Sequence, residues 1–458
     1  MNLTLQEIVN VKSYRFEYFG DRGRLPRPIA GVSTDSRKLQ TDEIYFALRG
    51  ERHDGHDFVV EVIKKGALAA VVEKTWWSKN PGLLKDAAIF TVDDTLKAMQ
   101  ELSNVYRNKF SLPVLGLTGT NGKTTTKEMI AGVLSELGSV CKTEGNLNNH
   151  IGVPLTLFTL TKDHRAAVVE MGTNHFGEIT RLCEIAEPRY GLITNIGRGH
   201  LQFLGDVEGV ARAKMELFHS LSTDGVVFVN LDDPLIAKHT PKLKKIITYG
   251  FKDEAMVNAR RVEPDDFGFP RMQVEDEIFT LNLLGNHNLT NALAAVAVGR
   301  EFGVSLEKMK GALENVRVPG KRMEVIRRKN FLILNDSYNA NPDSTLAALA
   351  ILKNLKIAGK KIFVFGDMLE LGDAAAVEHA KIGEALHNFD VDLFFAFGLL
   401  SFEAVRVAQE SVHPIMAQHF SDKTELVAEL KNQIAAGDAL LVKGSRGIKM
   451  EEVVESLN

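Results

Sequence analysis

Residues 116–129 read GLTGTNGKTTTKEM. This stretch closes an apolar run, 112–117, that reads as a strand. It opens into Met129, Ile130, Val133, Leu134 and Leu137, which recur at helical spacing and give a helix one apolar face. Between strand and helix lie Gly119, Thr120, Asn121, Gly122, Lys123 and Thr124. Glycines let a backbone curl tightly and turn its N–H groups inward. The helix N-terminus adds partial positive charge, Lys123 adds a full one, and the Thr124 hydroxyl can ligate magnesium. The pattern is the short G-x-x-G-K-T, because Leu117 stands where the longer phosphate loop has its first glycine. The loop therefore reads as a phosphate cradle. The bland alternative is a Gly/Thr-rich turn at a strand–helix junction.

A length of 458 residues suggests about three domains. With 45% hydrophobic and 25% charged residues, each can bury an ordinary core. Short strands at 44–48, 68–72 and 88–92 and a helix from Thr95 to Arg107 predict an N-terminal α/β domain over 1–109. A central α/β domain, 110–319, carries the loop, strands at 166–170 and 190–194, and a helix at 291–302. After the linker Val318-Pro319-Gly320, strands at 361–365, 392–396 and 439–442 alternate with helices over 320–458. That alternation predicts a Rossmann-like, doubly wound C-terminal domain, beside a parallel sheet in the centre.

Bulk properties exclude several classes. A net charge of −4 argues against a general nucleic-acid surface. Cys141 and Cys183 cannot make a zinc site alone and suit a reducing compartment. The N-terminus lacks a basic-then-apolar signal, and no apolar run approaches the roughly 20 residues that span a bilayer. The expectation is a soluble, cytoplasmic protein without membrane insertion.

Ligands of such sheets collect at the carboxyl ends of strands. Glu170 ends the strand in AAVVEMG and suits a magnesium site, and His200 follows the next strand in LITNIGRGHL and can ligate a second cation. Taken separately each is more often a solvated loop residue, but their shared location after neighbouring strands favours the metal reading. Lys214 falls on the apolar face of the helix predicted over 206–221, with Val207, Val210, Ala211, Leu217, Phe218 and Leu221, opposite Glu208, Arg212, Glu216 and His219. A bare ammonium there costs several kcal/mol. It can meet a carboxylate, stay neutral with a lowered pKa, or be chemically changed, for instance by taking up carbon dioxide as a carbamate. An ion pair is the commonest outcome of such a pattern. His287, Asn288 and Asn291 stand at a helix start, where amides could read an adenine edge or cap the helix. Asp336 in NDSYNANPDS could bond a ribose, while its Asn and Pro neighbours could simply shape a turn. Lys443, Ser445 and Arg446 lie among glycines after the last strand, as an anion-binding turn or a solvated basic loop.

Together these segments resemble the Mur ligases, ATP-dependent amino-acid-adding enzymes of bacterial cell-wall synthesis. The runs that carry the resemblance are STDSRKLQTDEIYFALRGERHDGHDF (33–58), TEGNLNNHIGVPLTL (143–157), EMGTNHFGEI (170–179), DSYNANPDS (336–344), GDMLELG (366–372) and VKGSRGIKMEEVV (442–454). They span nearly the whole chain and are most similar to the branch that joins D-alanyl-D-alanine to a UDP-N-acetylmuramoyl-tripeptide. The D-N-P-R stretch usual in the diaminopimelate-adding branch is missing.

The resemblance implies ATP held by Gly119 through Thr125, with Lys123 on the terminal phosphates. It implies one magnesium ion on Thr124 and Glu170, and a second on His200 and a carbamylated Lys214. Asn288 and Asn291 would face adenine and Asp336 the ribose. Arg322 in PGKRME (319–324), or Lys321 beside it, would approach the phosphates from the hinge. Asp35, Ser36 and Arg37 would lie near the UDP end, and Asn146, Asn148 and Asn149 along the muramoyl-peptide path. Tyr338 and Asn339 would meet substrate, with Ser445 and Arg446 in the dipeptide pocket. A monomer is expected. The competitors are a folylpolyglutamate synthase, a diaminopimelate-adding ligase, or a nucleotide switch that joins nothing.

Overall fold

The computed structural model describes residues 1–458 except 81, 85–86, 266–267, 412–414 and 458. The chain is α/β and is built on three main sheets. The strand Val114–Thr118 lies inside a seven-stranded sheet whose pairings are all parallel. Its neighbours are His164–Glu170 on one side and Tyr190–Ile193 on the other. All five residues of Val114–Thr118 are buried, as expected of a parallel strand covered on both faces. The helix Lys123–Leu134, called here the loop helix, follows it. Met129, Ile130, Val133 and Leu134 are buried at 0 or 1% exposure. Leu137 departs from expectation: it sits in a 3-10 turn past the helix end and is 43% exposed.

The loop helix packs on the helix His287–Glu301, which begins four residues before its expected start at 291 and is buried almost all round. Its alanine-rich run 292–298 suits that position, because small side chains admit close neighbours. Beside this sheet, a small antiparallel sheet (Arg260–Val262, Arg271–Val274, Glu277–Thr280) has no counterpart in the sequence reading.

The N-terminal sheet has five strands, with Glu17–Phe19 antiparallel at one edge. The C-terminal sheet has six, parallel except for Glu324–Arg327. Its last strand in sequence, Ala439–Lys443, inserts between Leu332–Asp336 and Lys361–Gly366. That insertion sets the turn after Lys443 between the loops that follow Asp336 and Gly366. Among the described residues, no helix is long and apolar enough to cross a membrane.

Candidate active site

A cleft of about 1300 Å³ lies where the central and C-terminal sheets face each other at their strand ends. The phosphate loop forms its floor. Gly119 (φ 150°) and Gly122 (φ 76°) both have positive φ, and both are in close contact. A Cβ on Gly119 would sit 1.8 Å from Thr194 Oγ1, and one on Gly122 would sit 2.7 Å from Asn291 Oδ1. The loop is braced from the next strand end: Thr120 N–H donates to Asn195 O, and Asn121 N–H donates to Asn195 Oδ1, each at 2.9 Å. Lys123 Nζ donates to the carbonyls of Gly119 (2.7 Å) and Thr120 (3.1 Å). Burial lowers the Lys123 pKa; nearby Glu170 opposes the shift and Arg322 adds to it.

Glu170 is 2% exposed and closely held. Its Oε2 accepts from Thr124 Oγ1 and its Oε1 from Asn148 Nδ2, both at 2.9 Å. Lys127, absent from the expected site, lies fully buried behind it with Nζ 4.0 Å from Oε2. A hydroxyl and a carboxylate beside a phosphate loop form a sparse oxygen set. Magnesium suits such a set because it keeps waters and phosphate oxygens as its other ligands. Among the described residues, no group of three or more His, Cys, Asp or Glu gathers to hold a metal. The donors present thus fit a magnesium ion shared with phosphate, not an all-protein cage.

His200 (φ 57°) opens a short helix, Leu201–Leu204. Its Nδ1 is 2.6 Å from Glu370 Oε2 on the C-terminal side, in close contact but without hydrogen-bond alignment. The imidazole holds the Glu370 carboxyl below the usual carboxylate range. Lys214 lies in the helix Val207–His219 at 1% exposure, on the face expected for it. The ion pair that the helix pattern alone favours is not formed: among the described residues, Lys214 has neither a hydrogen bond nor a carboxylate partner. Burial, reinforced by the charge of Lys123, pushes the Lys214 ammonium well below the ordinary lysine range. Lys214 does not line the cleft wall itself.

Asn288 and Asn291 line the cleft, and neither caps the helix. Asn291 Nδ2 donates to Asn288 Oδ1 (3.0 Å), and Asn288 Nδ2 donates to Leu284 O (2.8 Å). Asp336 Oδ2 accepts from buried Lys443 Nζ at 2.5 Å, which gives Lys443 a holding role that the sequence left open. Asn341 and Pro342 do shape the chain here, as N-cap and first residue of the helix Pro342–Asn354. Of the hinge pair, Arg322 lines the cleft, whereas Lys321 Nζ turns to Glu451 Oε1 at 3.1 Å.

Asn146, Asn148, Asn149, Tyr338 and Asn339 also line the cleft. Ser445 does too, but its hydroxyl is engaged: it accepts from Leu369 N–H (2.9 Å) and donates to Ala340 O (3.3 Å). Arg446 is exposed at the rim. Asp35, Ser36 and Arg37 stand apart in the N-terminal unit and do not line this cleft. There Arg37 Nη2 pairs with Asp35 Oδ2 at 2.8 Å, and that bond pulls the Asp35 pKa down to about 2.

Contacts that the sequence reading missed join the two faces of the cleft. Arg198 Nε and Nη2 donate to Asp343 Oδ1 at 2.9 and 2.6 Å, and Nη1 donates to Glu378 Oε2 at 2.8 Å. Asn121 of the phosphate loop and Asn341 exchange amide hydrogen bonds at 2.8 and 3.3 Å. No local pattern signals such pairs, since the partners lie more than a hundred residues apart in sequence.

Comparison with known proteins matches three family descriptions along the chain. These are the Mur ligase family catalytic domain (28–107), the Mur ligase middle domain (117–299) and the Mur ligase glutamate ligase domain (321–446). The chain is similar to the UDP-N-acetylmuramoyl-tripeptide–D-alanyl-D-alanine ligase of Bacillus subtilis, with 39% identity over 94% of this chain and 93% of that one. It is 36% identical to the Escherichia coli ligase of the same name, over 93% of each. Among solved structures, MurF from Acinetobacter baumannii superposes with a TM-score of 0.86 and 31% identity, covering 99% of this chain and 98% of that one. MurF from Thermotoga maritima in complex with ADP superposes with a TM-score of 0.81 and 28% identity, over 93% and 96%.

Proposed function

The chain belongs to the Mur ligase family, and we propose that it joins D-alanyl-D-alanine to UDP-N-acetylmuramoyl-tripeptide with ATP, releasing ADP and phosphate. One observation carries the reading: the phosphate loop, the Asn146–Asn149 run and the turn after Lys443 open onto a single cleft. Nucleotide, acid and amine can therefore meet in one place.

The chemistry sets the requirement. A peptide carboxylate does not react with amines at neutral pH, so ATP converts it to an acyl phosphate, which the dipeptide amine attacks with loss of phosphate. In the first step two anions approach, and like unit charges about 4 Å apart repel by about 4 kcal/mol even at an effective dielectric near 20. Lys123 and Arg322 supply positive charge at that point, and the loop N–H groups orient the phosphates. Thr124 and Glu170 would hold a magnesium ion, which neutralises phosphate charge when bound. Asn148 steadies the Glu170 carboxylate and borders the proposed path of the acid. A neutral Lys214 suits uptake of carbon dioxide, and its carbamate, with His200, would offer oxygen and nitrogen donors for a second cation. The Arg198 and Asn121 contacts hold the C-terminal face over the loop, which limits water around the reactive phosphate.

We take 1–109, 110–319 and 320–458 as the UDP-sugar, ATP and dipeptide domains of a cytoplasmic monomer, with Asp35, Ser36 and Arg37 at the UDP end. The test is phosphate release coupled to product mass. Release should require D-alanyl-D-alanine together with the UDP-tripeptide, and the product should gain one dipeptide. Equal release with glutamate or diaminopimelate as the amine, or ADP formed without any joined product, would contradict the proposal.

A further inference from the structure

Tyr338 touches two guanidinium groups. Arg322 Cζ lies 3.5 Å from its ring centroid and Arg446 Cζ lies 5.1 Å from it. Arg446 Nη1 also donates to the Tyr338 hydroxyl at 2.9 Å. Among the described residues, neither arginine has a carboxylate partner, and all three side chains face the cleft. Two unneutralised cations this close repel and would splay apart in open solvent. The π face of one ring attracts both, by about 0.5–2 kcal/mol each depending on exposure.

The backbone around the stack is equally constrained. Lys321 (φ 67°) and Met323 (φ 54°), on either side of Arg322, both adopt left-handed conformations. Non-glycine residues disfavour that region by about 1–2 kcal/mol each. Two bonds from the Tyr338 loop hold them there: Tyr338 N–H donates to Lys321 O at 3.0 Å, and Met323 N–H donates to Asp336 Oδ1 at 3.1 Å. Lys443 ties the same loop to the last strand through Asp336 Oδ2 (2.5 Å) and Asn339 O (2.9 Å). Hinge, ribose-side loop and dipeptide-side turn are thus bonded into one unit with Tyr338 at its centre.

We propose that Tyr338 is a positioning residue shared by two anion sites. Its ring face aims Arg322 at the nucleotide phosphates, and its hydroxyl aims Arg446 at the carboxylate of the incoming dipeptide. The inference rests on the ligase reading, which supplies those two anions.

The two roles separate by substitution in the full-length protein. Tyr338→Phe keeps the stack and loses the hydroxyl. It should raise the KM for D-alanyl-D-alanine roughly 3–10-fold, the worth of one hydrogen bond, and leave the KM for ATP within about twofold. Tyr338→Ala should raise both constants, with the melting temperature of both variants close to wild type. Calorimetric titration with ATP alone gives a second readout, in which Tyr338→Ala should bind more weakly and Tyr338→Phe as wild type does. Equal shifts of both KM values in both variants, or unchanged ATP affinity in Tyr338→Ala, would overturn the inference. A wild-type enzyme that makes no product refutes the ligase reading instead, and the ATP titration still decides whether Tyr338 orients Arg322.

Discussion

Lys214 is 1% exposed, feels the charge of Lys123 and, among the described residues, has no counter-charge. A charged amine there carries a desolvation cost of several kcal/mol, so burial favours the neutral form. A neutral amine is also the form that adds carbon dioxide. Lys214→Met keeps the volume and removes the polar atom, so the melting temperature should hold or rise slightly. Product formation should be lost, and excess bicarbonate should not restore it, because the attachment point is gone. Near-normal turnover by this variant would remove Lys214 from the mechanism. The burial of Lys214 was legible from helical periodicity alone. The missing partner was not, because which carboxylates fold beside a helix is not local information. The same limit applies to Ser445, whose hydroxyl is claimed by Leu369 and Ala340 from distant segments.

The loop helix does two jobs at its start. Its first turn shapes the phosphate cradle, and its second turn carries Lys127 and Glu128 into the interior. Lys127 Nζ lies 3.1 Å from Glu128 Oε1 and 4.0 Å from Glu170 Oε2, and it donates to Thr143 O. Glu128 is also paired with Lys142. Removing one member of a buried ionic group leaves the others uncompensated, at a cost of roughly 3 kcal/mol. Lys127→Met should therefore shift the chemical-denaturation midpoint well below wild type; an unchanged midpoint would show that Glu128 and Glu170 are held without it.

This helix was readable because a strand, glycines and an apolar 3.6-residue stripe adjoin. The antiparallel pieces were not. Glu17–Phe19, Glu324–Arg327 and the sheet over 260–280 consist of three or four residues per strand. Such short runs mix charged and apolar residues and show no period of two long enough to detect.

At the scale of the molecule, the site is made by topology. The last strand, inserted mid-sheet, delivers Lys443 and Arg446 beside Asp336 and Tyr338, more than a hundred residues earlier in the chain. Arg198 and Asn121 bridge the central loops to the C-terminal helices. The α/β class, the strand end that bears Glu170 and the loop beyond the next strand that bears His200 could be expected from sequence, since strand ends in such sheets gather ligands. The strand order and the bridges across the cleft depend on long-range pairing that no window of sequence contains.

In the proposed reaction an inert carboxylate is phosphorylated in this cleft before the amine arrives. The most direct measurement follows an oxygen atom. UDP-N-acetylmuramoyl-tripeptide with heavy oxygen in both positions of its terminal carboxylate is turned over with ATP and D-alanyl-D-alanine, and the released phosphate is weighed by mass spectrometry. Passage through an acyl phosphate moves one labelled oxygen into each phosphate released. Unlabelled phosphate, formed while the joined peptide accumulates, would contradict the account.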